Sequence, residues 1–285
     1  MSNKIGLILE GGAMRSVFSA GVLDFFLEKE IQVDNVLAVS AGAYAGMNYV
    51  SGQKGRILDA VILPLAQYKY MGLSTFLKKG TFFDMEYLFK EVPKKLAPFD
   101  FKEFKKFSGR FITSAVNCIT GENIYYDDFT NEEEFFHICT AANSLPIIAK
   151  MVDVKGIPML DGGMADAIPI AKALEENWEK IIVIFTRDSR YRKKTKKNLY
   201  TKLTYLIYRK YPNFLKNLDG RAKRYNDSIE KILELEKDGK AFVFRPTKYT
   251  VGNNESNVDK LLAYYEHGYE SASERYEELK NFLKK

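Results

Sequence analysis

Histidine and cysteine are scarce here, with two of each in 285 residues. Cys118 and Cys139 sit in apolar surroundings, so they read as buried thiols of a reducing compartment rather than a disulfide framework. No metal-ligand cluster is visible, and neither a metal nor a cofactor is expected. Two histidines, His137 and His267, leave little room for chemistry that shuttles protons through imidazole. No apolar run approaches the ~20 residues of a membrane span. Met1-Ser2-Asn3-Lys4 leads straight into a strand, unlike a secretory leader. Internal repeats and long low-complexity linkers are missing as well. These absences point to a cytoplasmic chain, and a 46% hydrophobic content is enough for one large core or two modest domains.

The pattern that is present alternates strands and helices. Strands are predicted over Lys4–Leu9, Asn35–Val39, Arg110–Val116, Glu122–Tyr126, Met151–Val154, Ile157–Leu160, Lys180–Phe185 and Ala241–Phe244. Helices are predicted over Val17–Glu28, Ala41–Val50, Met85–Lys90, Glu132–Ala142, Ile170–Glu176, Asn198–Tyr211, Phe214–Lys237 and Val258–Lys280. The expected fold class is α/β, a central mostly parallel sheet with helices on both faces. The last two strands would extend the same sheet. One domain over 1–285 is therefore preferred, with a core at 4–175 and a C-terminal part at 176–285.

Ser40 has the most informative address in the chain. It follows the apolar run Asn35–Val39 and precedes Ala41-Gly42-Ala43, a strand, a tight turn and a helix start with a hydroxyl at the apex. An elbow of this kind lifts a serine oxygen clear of the sheet and places it at a helix N-terminus. A serine in an ordinary turn merely bonds the local backbone. What distinguishes Ser40 is a second strand-to-helix junction nearby, Gly11-Gly12 after Ile5–Leu9, at the kind of sheet edge where open α/β folds carry their sites.

The loop Glu10-Gly11-Gly12-Ala13-Met14-Arg15-Ser16 has three readings: a packing turn, a phosphate cradle or an oxyanion hole. The dinucleotide pattern fits poorly, because Ala13 and Ser16 stand where glycines would. A serine elbow one strand away favours the oxyanion hole. Asp161-Gly162-Gly163 could be a simple turn. Two glycines after an aspartate also permit the close backbone approach that a buried site needs.

These residues resemble the patatin-like phospholipases. That family pairs a glycine-rich loop with a G-x-S-x-G nucleophile and a later D-G-[GA]. The matching segments are Gly11 to Ser16, Ala38-Val39-Ser40-Ala41-Gly42 and Asp161-Gly162-Gly163, in that order over residues 5 to about 175. Ala142-Asn143-Ser144-Leu145-Pro146 is similar to the segment the family places before its aspartate. Ala13, Ser16 and Ala38 depart from its glycines. The resemblance implies a serine lipid acyl hydrolase, a phospholipase A or esterase, working through a Ser40–Asp161 dyad and an acyl-enzyme. It implies oxyanion and substrate contacts at Gly11, Gly12, Ala13, Arg15 and Ala41. For Arg15, an ordinary ion pair at a helix start weighs equally. An acyltransferase using the same acyl-enzyme, and a non-catalytic lipid- or anion-binding module on the same fold, are the alternatives. A triad with His267 would follow the order of α/β-hydrolases. Against it, the nucleophile follows the second strand, and His267 sits on a predicted helix rather than a loop.

Charge is placed unevenly. Residues 187–202 hold eight basic residues, Arg187, Arg190, Arg192, Lys193, Lys194, Lys196, Lys197 and Lys202, against Asp188. That segment carries +7 of a net +6, so the remainder is slightly acidic. The run reads either as a solvated loop or as a contact with an anionic membrane, with Leu199 to Tyr208 as an interfacial helix. It is expected to lie outside the dyad and the donor loop. A second basic and aromatic stretch spans Lys94 to Arg110, with Phe99, Phe101, Phe104 and Phe107. No nucleic-acid motif accompanies the charge, so nucleic acid is not expected as a partner. Phospholipid or another acyl-ester lipid is the expected substrate, and a peripheral position at an inner membrane surface fits the basic run.

Overall fold

A computed structural model describes residues 4–195 and 198–284; Met1, Ser2, Asn3, Lys196, Lys197 and Lys285 lie outside the described residues. Eight strands form one sheet: β1 Ile5–Leu9, β2 Asn35–Ala38, β3 Arg110–Asn117, β4 Asn123–Tyr126, β5 Val152–Val154, β6 Ile157–Asp161, β7 Lys180–Ile184 and β8 Ala241–Phe244. The order is β5-β6-β3-β2-β1-β7-β8, with β4 also pairing β3. Strands β3, β2, β1, β7 and β8 run parallel. They are buried on both faces, as such runs as Lys180-Ile-Ile-Val-Ile184 require of strands covered by helices.

Alternation along β1 sends Leu7 and Leu9 into one core and Ile8 into the other. On the first face the helix Val17–Glu28 is buried along most of its length, because the helix Val258–Glu274 covers its outer side. Two glycines set that crossing. A Cβ on Gly21 would lie 2.0 Å from the Tyr265 carbonyl oxygen, and one on Gly268 2.1 Å from that of Phe18. On the opposite face Trp178, Ile229 and Ile232 pack beneath Ile8, Leu37 and Ile112.

The short antiparallel strands decide where the site can be. Ala38, the last residue of β2, pairs Thr113 of β3. Two residues further along β3, Ala115 pairs Asp161 of β6. Tyr126 and Ile124 of β4 occupy the other edge of β3 at both places, so β6 takes up the edge that β2 vacates. The chain turns out of the sheet at Ser40, and Asp161 fills the register position beside it.

Several helical predictions need correction. The helix predicted over Val258–Lys280 breaks at Arg275 into Val258–Glu274 and Tyr276–Lys284. The Arg275 guanidinium lies over Phe242 and donates to the Val243 carbonyl, and the final helix folds back so that Phe282 meets Phe242. The helix predicted over Met85–Lys90 begins there but runs on, with widened turns over Tyr87–Leu96 that accommodate Pro93. Helical segments at Leu58–Ile62, Pro64–Gln67, Leu73–Lys79 and Phe101–Lys106 were without a clear periodic signal. Asn198–Tyr211 shortens to Leu199–Ile207, because Pro212 opens the next helix, Pro212–Lys237. In the Lys94–Arg110 stretch, Phe99 and Phe104 are core residues, packed with Phe111, Phe135 and Phe136.

Candidate active site

Ser40 stands at a sharp turn between β2 and the helix Ala41–Val50, with φ +54° and ψ −134°. A side-chain-bearing residue pays strain in that region, of order 1–3 kcal/mol. The surrounding backbone holds it: Val39 N donates to the Leu9 carbonyl at 3.1 Å and Ala43 N to the Ser40 carbonyl at 2.8 Å. Gly42 is required, because a Cβ there would meet the Leu9 carbonyl oxygen at 2.8 Å. Ala38, in the place of a motif glycine, is an ordinary strand residue with negative φ and needs no glycine.

Asp161 is fully buried at the end of β6. Ser40 Oγ donates to its Oδ2 at 2.5 Å, and Gly163 N donates to its Oδ1 at 2.7 Å. A Cβ on Gly162 would lie 2.4 Å from the Ser114 carbonyl oxygen, so the chain after Asp161 runs against β3 as only glycine allows. Burial pushes the Asp161 carboxyl up to about 6; the bonds from Ser40 and Gly163 and the Arg221 and Lys193 charges pull the other way. A carboxylate held near 6 is ionised at neutral pH yet basic enough to take a proton.

The glycine loop faces this pair. A Cβ on Gly11 would lie 2.7 Å from Ser40 Cβ and 2.8 Å from the Val39 carbonyl oxygen. Among the described residues, the N–H groups of Gly11, Gly12 and Ala13 donate to no backbone acceptor, whereas those of Met14 and Arg15 do. Ala13 holds φ +49°, so the missing glycine leaves some strain in the loop. The loop is anchored by Glu10, whose role no sequence pattern marks. Its Oε2 accepts from Thr186 N and Oγ1, and its Oε1 from the Tyr225 hydroxyl at 2.6 Å.

Two hollows meet at Ser40. One is a cleft of about 410 Å³ that also reaches Gly11, Gly12, Ala13, Arg15 and Asp161. The other, about 80 Å³, is apolar; Ala41, Met14, Val61, Tyr70, Phe83, Leu88 and Phe89 line it. The helical turns of residues 58–96, poorly legible in sequence, thus build the apolar wall.

The basic run departs from its expected position. Instead of lying outside the dyad and donor loop, Arg187, Tyr191, Lys193 and Lys194 line the cleft that holds Ser40 and Asp161. The chain turns there because β7 ends beside β1, and Lys193 N donates to Asn226 Oδ1 on the long helix Pro212–Lys237. Elsewhere in the run, Arg190 pairs Asp188 and Arg192 pairs Glu230. The same long helix supplies Arg221 and Tyr225 to the cleft. No sequence signal marked them, since they are two polar positions on an amphipathic helix. Arg15 forms no ion pair among the described residues, against the helix-start pairing considered for it. Burial and the neighbouring Arg187 charge lower its pKa.

Neither histidine lines the cleft. His267 is buried against Phe18 and Tyr249, and its Nε2 faces the backbone N–H groups of Thr247 and Lys248. His137 is exposed and bonds the Asp153 carbonyl. Among the described residues, no group of three His, Cys, Asp or Glu side chains is placed to hold a metal. No helix among them is long and apolar enough to cross a membrane.

Comparison with known proteins finds that residues 7–174 match the model of the patatin-like phospholipase family. Residues 211–284, which include Arg221 and Tyr225, match a domain of unknown function (DUF6363). The uncharacterized protein YjjU of Escherichia coli K12 is 25% identical over 189 residues, covering 64% of this chain and 52% of YjjU. The chain thus spans about half the length of that curated relative. Among solved structures, VipD from Legionella pneumophila is similar at 12% identity, with a TM-score of 0.50 over 99% of this chain and 67% of VipD. At that identity the likeness speaks for the fold.

Proposed function

The chain belongs to the patatin-like phospholipase family, and from that premise we propose that it is a serine lipid acyl hydrolase working through Ser40 and Asp161. The observation that carries this reading is the 2.5 Å bond from Ser40 Oγ to a buried carboxylate, at the point where a polar cleft meets an apolar pocket. Ser40 Oγ attacks the ester carbonyl as its proton passes to Asp161. The carbonyl oxygen becomes an oxyanion, and the open N–H groups of Gly11, Gly12 and Ala13 receive it; one such donor is worth ~3–4 kcal/mol. Asp161 returns the proton to the leaving alcohol, takes one from the water that attacks the acyl-enzyme, and hands it to Ser40 Oγ as the acyl–serine bond breaks and the fatty acid leaves. The apolar pocket takes the start of the acyl chain, and the cleft takes the alcohol side. Arg221, whose Nε donates to the Gly163 carbonyl at 2.7 Å, holds the turn that orients Asp161.

Peripheral contact with an anionic membrane is part of this proposal. The helix Leu199–Ile207 exposes Leu199, Leu203, Leu206 and Ile207 beside the cleft, and Lys202, Arg209 and Lys210 are exposed around them. The test is hydrolysis of 4-nitrophenyl butyrate together with labelling by a fluorophosphonate. Ser40→Ala should abolish both while the fold is kept, and His267→Ala should retain turnover. Labelling at another serine, or undiminished turnover in Ser40→Ala, would reject the assignment.

A further inference from the structure

Among the described residues, five cations, Arg15, Arg187, Lys193, Lys194 and Arg221, line the cleft beside Ser40. Among the described residues none of them forms an ion pair. The three acids of the same cleft are committed elsewhere. Glu10 accepts from Thr186 and Tyr225, Asp161 from Ser40 and Gly163, and Asp219 from Tyr205. Arg187 lies over the Tyr191 ring at 4.4 Å and Lys193 over the Tyr225 ring at 4.4 Å, contacts that orient a cation without neutralising it. Arg15 Nε is buried with no hydrogen-bond partner. Arg221 uses its Nε on the Gly163 carbonyl. Cations gathered in a half-buried cleft repel one another, and Lys193 registers it: burial and the Arg221, Arg15 and Arg187 charges draw its ammonium down to about 7, with Glu10 acting the other way. A fold that tolerates this repulsion is stabilised when an anion enters.

We propose that this half of the cleft is a phosphate subsite, holding a phosphate-type dianion within reach of the ester on Ser40. A dianion with several acceptor oxygens matches the forked donors of arginine, and a single carboxylate would leave most of the cations unmatched. The site is assembled from both matched regions of the chain. Arg15 comes from the patatin-like segment and Arg221 from the segment of unknown function, with Arg187 and Lys193 between them. The segment of unknown function thus supplies one wall of a substrate site. The dianion is either the phosphate monoester of a lipid headgroup or free inorganic phosphate. The inference rests on the acyl hydrolase reading for its placement beside a scissile ester.

The test compares kcat/KM for decanoyl lysophosphatidate and decanoyl monoacylglycerol, which differ only in the phosphate, at pH 7 and low salt. A lipid headgroup site predicts a preference of at least about tenfold for the phosphate-bearing ester, as hydrogen bonds to charged groups supply. Arg187→Gln and Lys193→Gln, made separately so that a folding defect in one leaves the other readable, should each move the ratio toward one. In a second arm, inorganic phosphate is titrated calorimetrically into Ser40→Ala protein, where no turnover intervenes. Binding there that is lost in Ser40→Ala/Arg187→Gln, without a substrate preference, assigns the site to free phosphate. Neither preference nor binding overturns the proposal, as does a preference that both variants keep. If no ester at all is hydrolysed while phosphate binds, the acyl hydrolase reading fails and the phosphate site stands.

Discussion

Asp161→Asn should make the protein more stable and catalytically inert. The carboxyl is fully buried, and burial raises its pKa from 3.8 to about 6. Each pKa unit corresponds to 1.36 kcal/mol, so carrying the ionised form costs the fold about 3 kcal/mol. The sign fixes a pH window. Below 3.8 the carboxyl is protonated in both folded and unfolded chains and costs nothing. Between about 4 and 6 the unfolded chain ionises while the folded one keeps its proton, so wild-type stability falls as pH rises. Above about 6 the deficit is constant. Asparagine escapes it and keeps the shape. Its oxygen can accept from Gly163 N, and its amide can donate to Ser40 Oγ, which turns from donor to acceptor. For a chain of this length, about 3 kcal/mol raises the melting temperature by about 5 °C. Thermal melts of both proteins from pH 4 to 8 should coincide at the acid end and separate to that extent by pH 7. Turnover of 4-nitrophenyl butyrate should fall by ~10²–10⁴, as loss of a general base does. A variant that is less stable than wild type at pH 7, or that keeps a tenth of its activity, would refute the reasoning.

The pH profile of kcat/KM for a neutral ester should rise to a plateau with a midpoint at about 6, because Asp161 must be ionised to accept the Ser40 proton. Arg221→Met should move that midpoint upward, since the Arg221 charge lowers the Asp161 pKa; an unchanged midpoint in a folded variant would separate the two groups. Gly21→Ala should destabilise the fold by about 3 kcal/mol, because the new methyl meets the Tyr265 carbonyl oxygen at 2.0 Å and two helices must part. Denaturant melts that match wild type would show that the crossing is looser than the structure has it.

Local chemistry made the parallel core and the two catalytic candidates legible. Runs such as Ile5-Gly6-Leu7-Ile8-Leu9 and Lys180–Ile184 can be satisfied only between two covered faces, and all eight predicted strands are found. Ser40 and Asp161 were legible because an elbow and a close-approach turn each demand small residues at fixed places. That demand is local, and Gly42 and Gly162 answer it. What the sequence could not express was adjacency between distant segments. The meeting of Ser40 with Asp161 depends on β6 entering antiparallel on the edge that β2 leaves, a long-range register with no local mark. The basic run read as a solvated loop or a membrane contact, outside the dyad, because its charge was visible and its neighbours were not. Only the tertiary fold lays Lys193 over Tyr225 and brings Arg15, Arg187 and Arg221 around one cleft. Arg221 and Tyr225 lie on a helix whose pattern tells which side is apolar, but not that its polar edge closes a site begun two hundred residues earlier. Periodicity is a property of neighbours along the chain, whereas an electrostatic site is a property of neighbours in space.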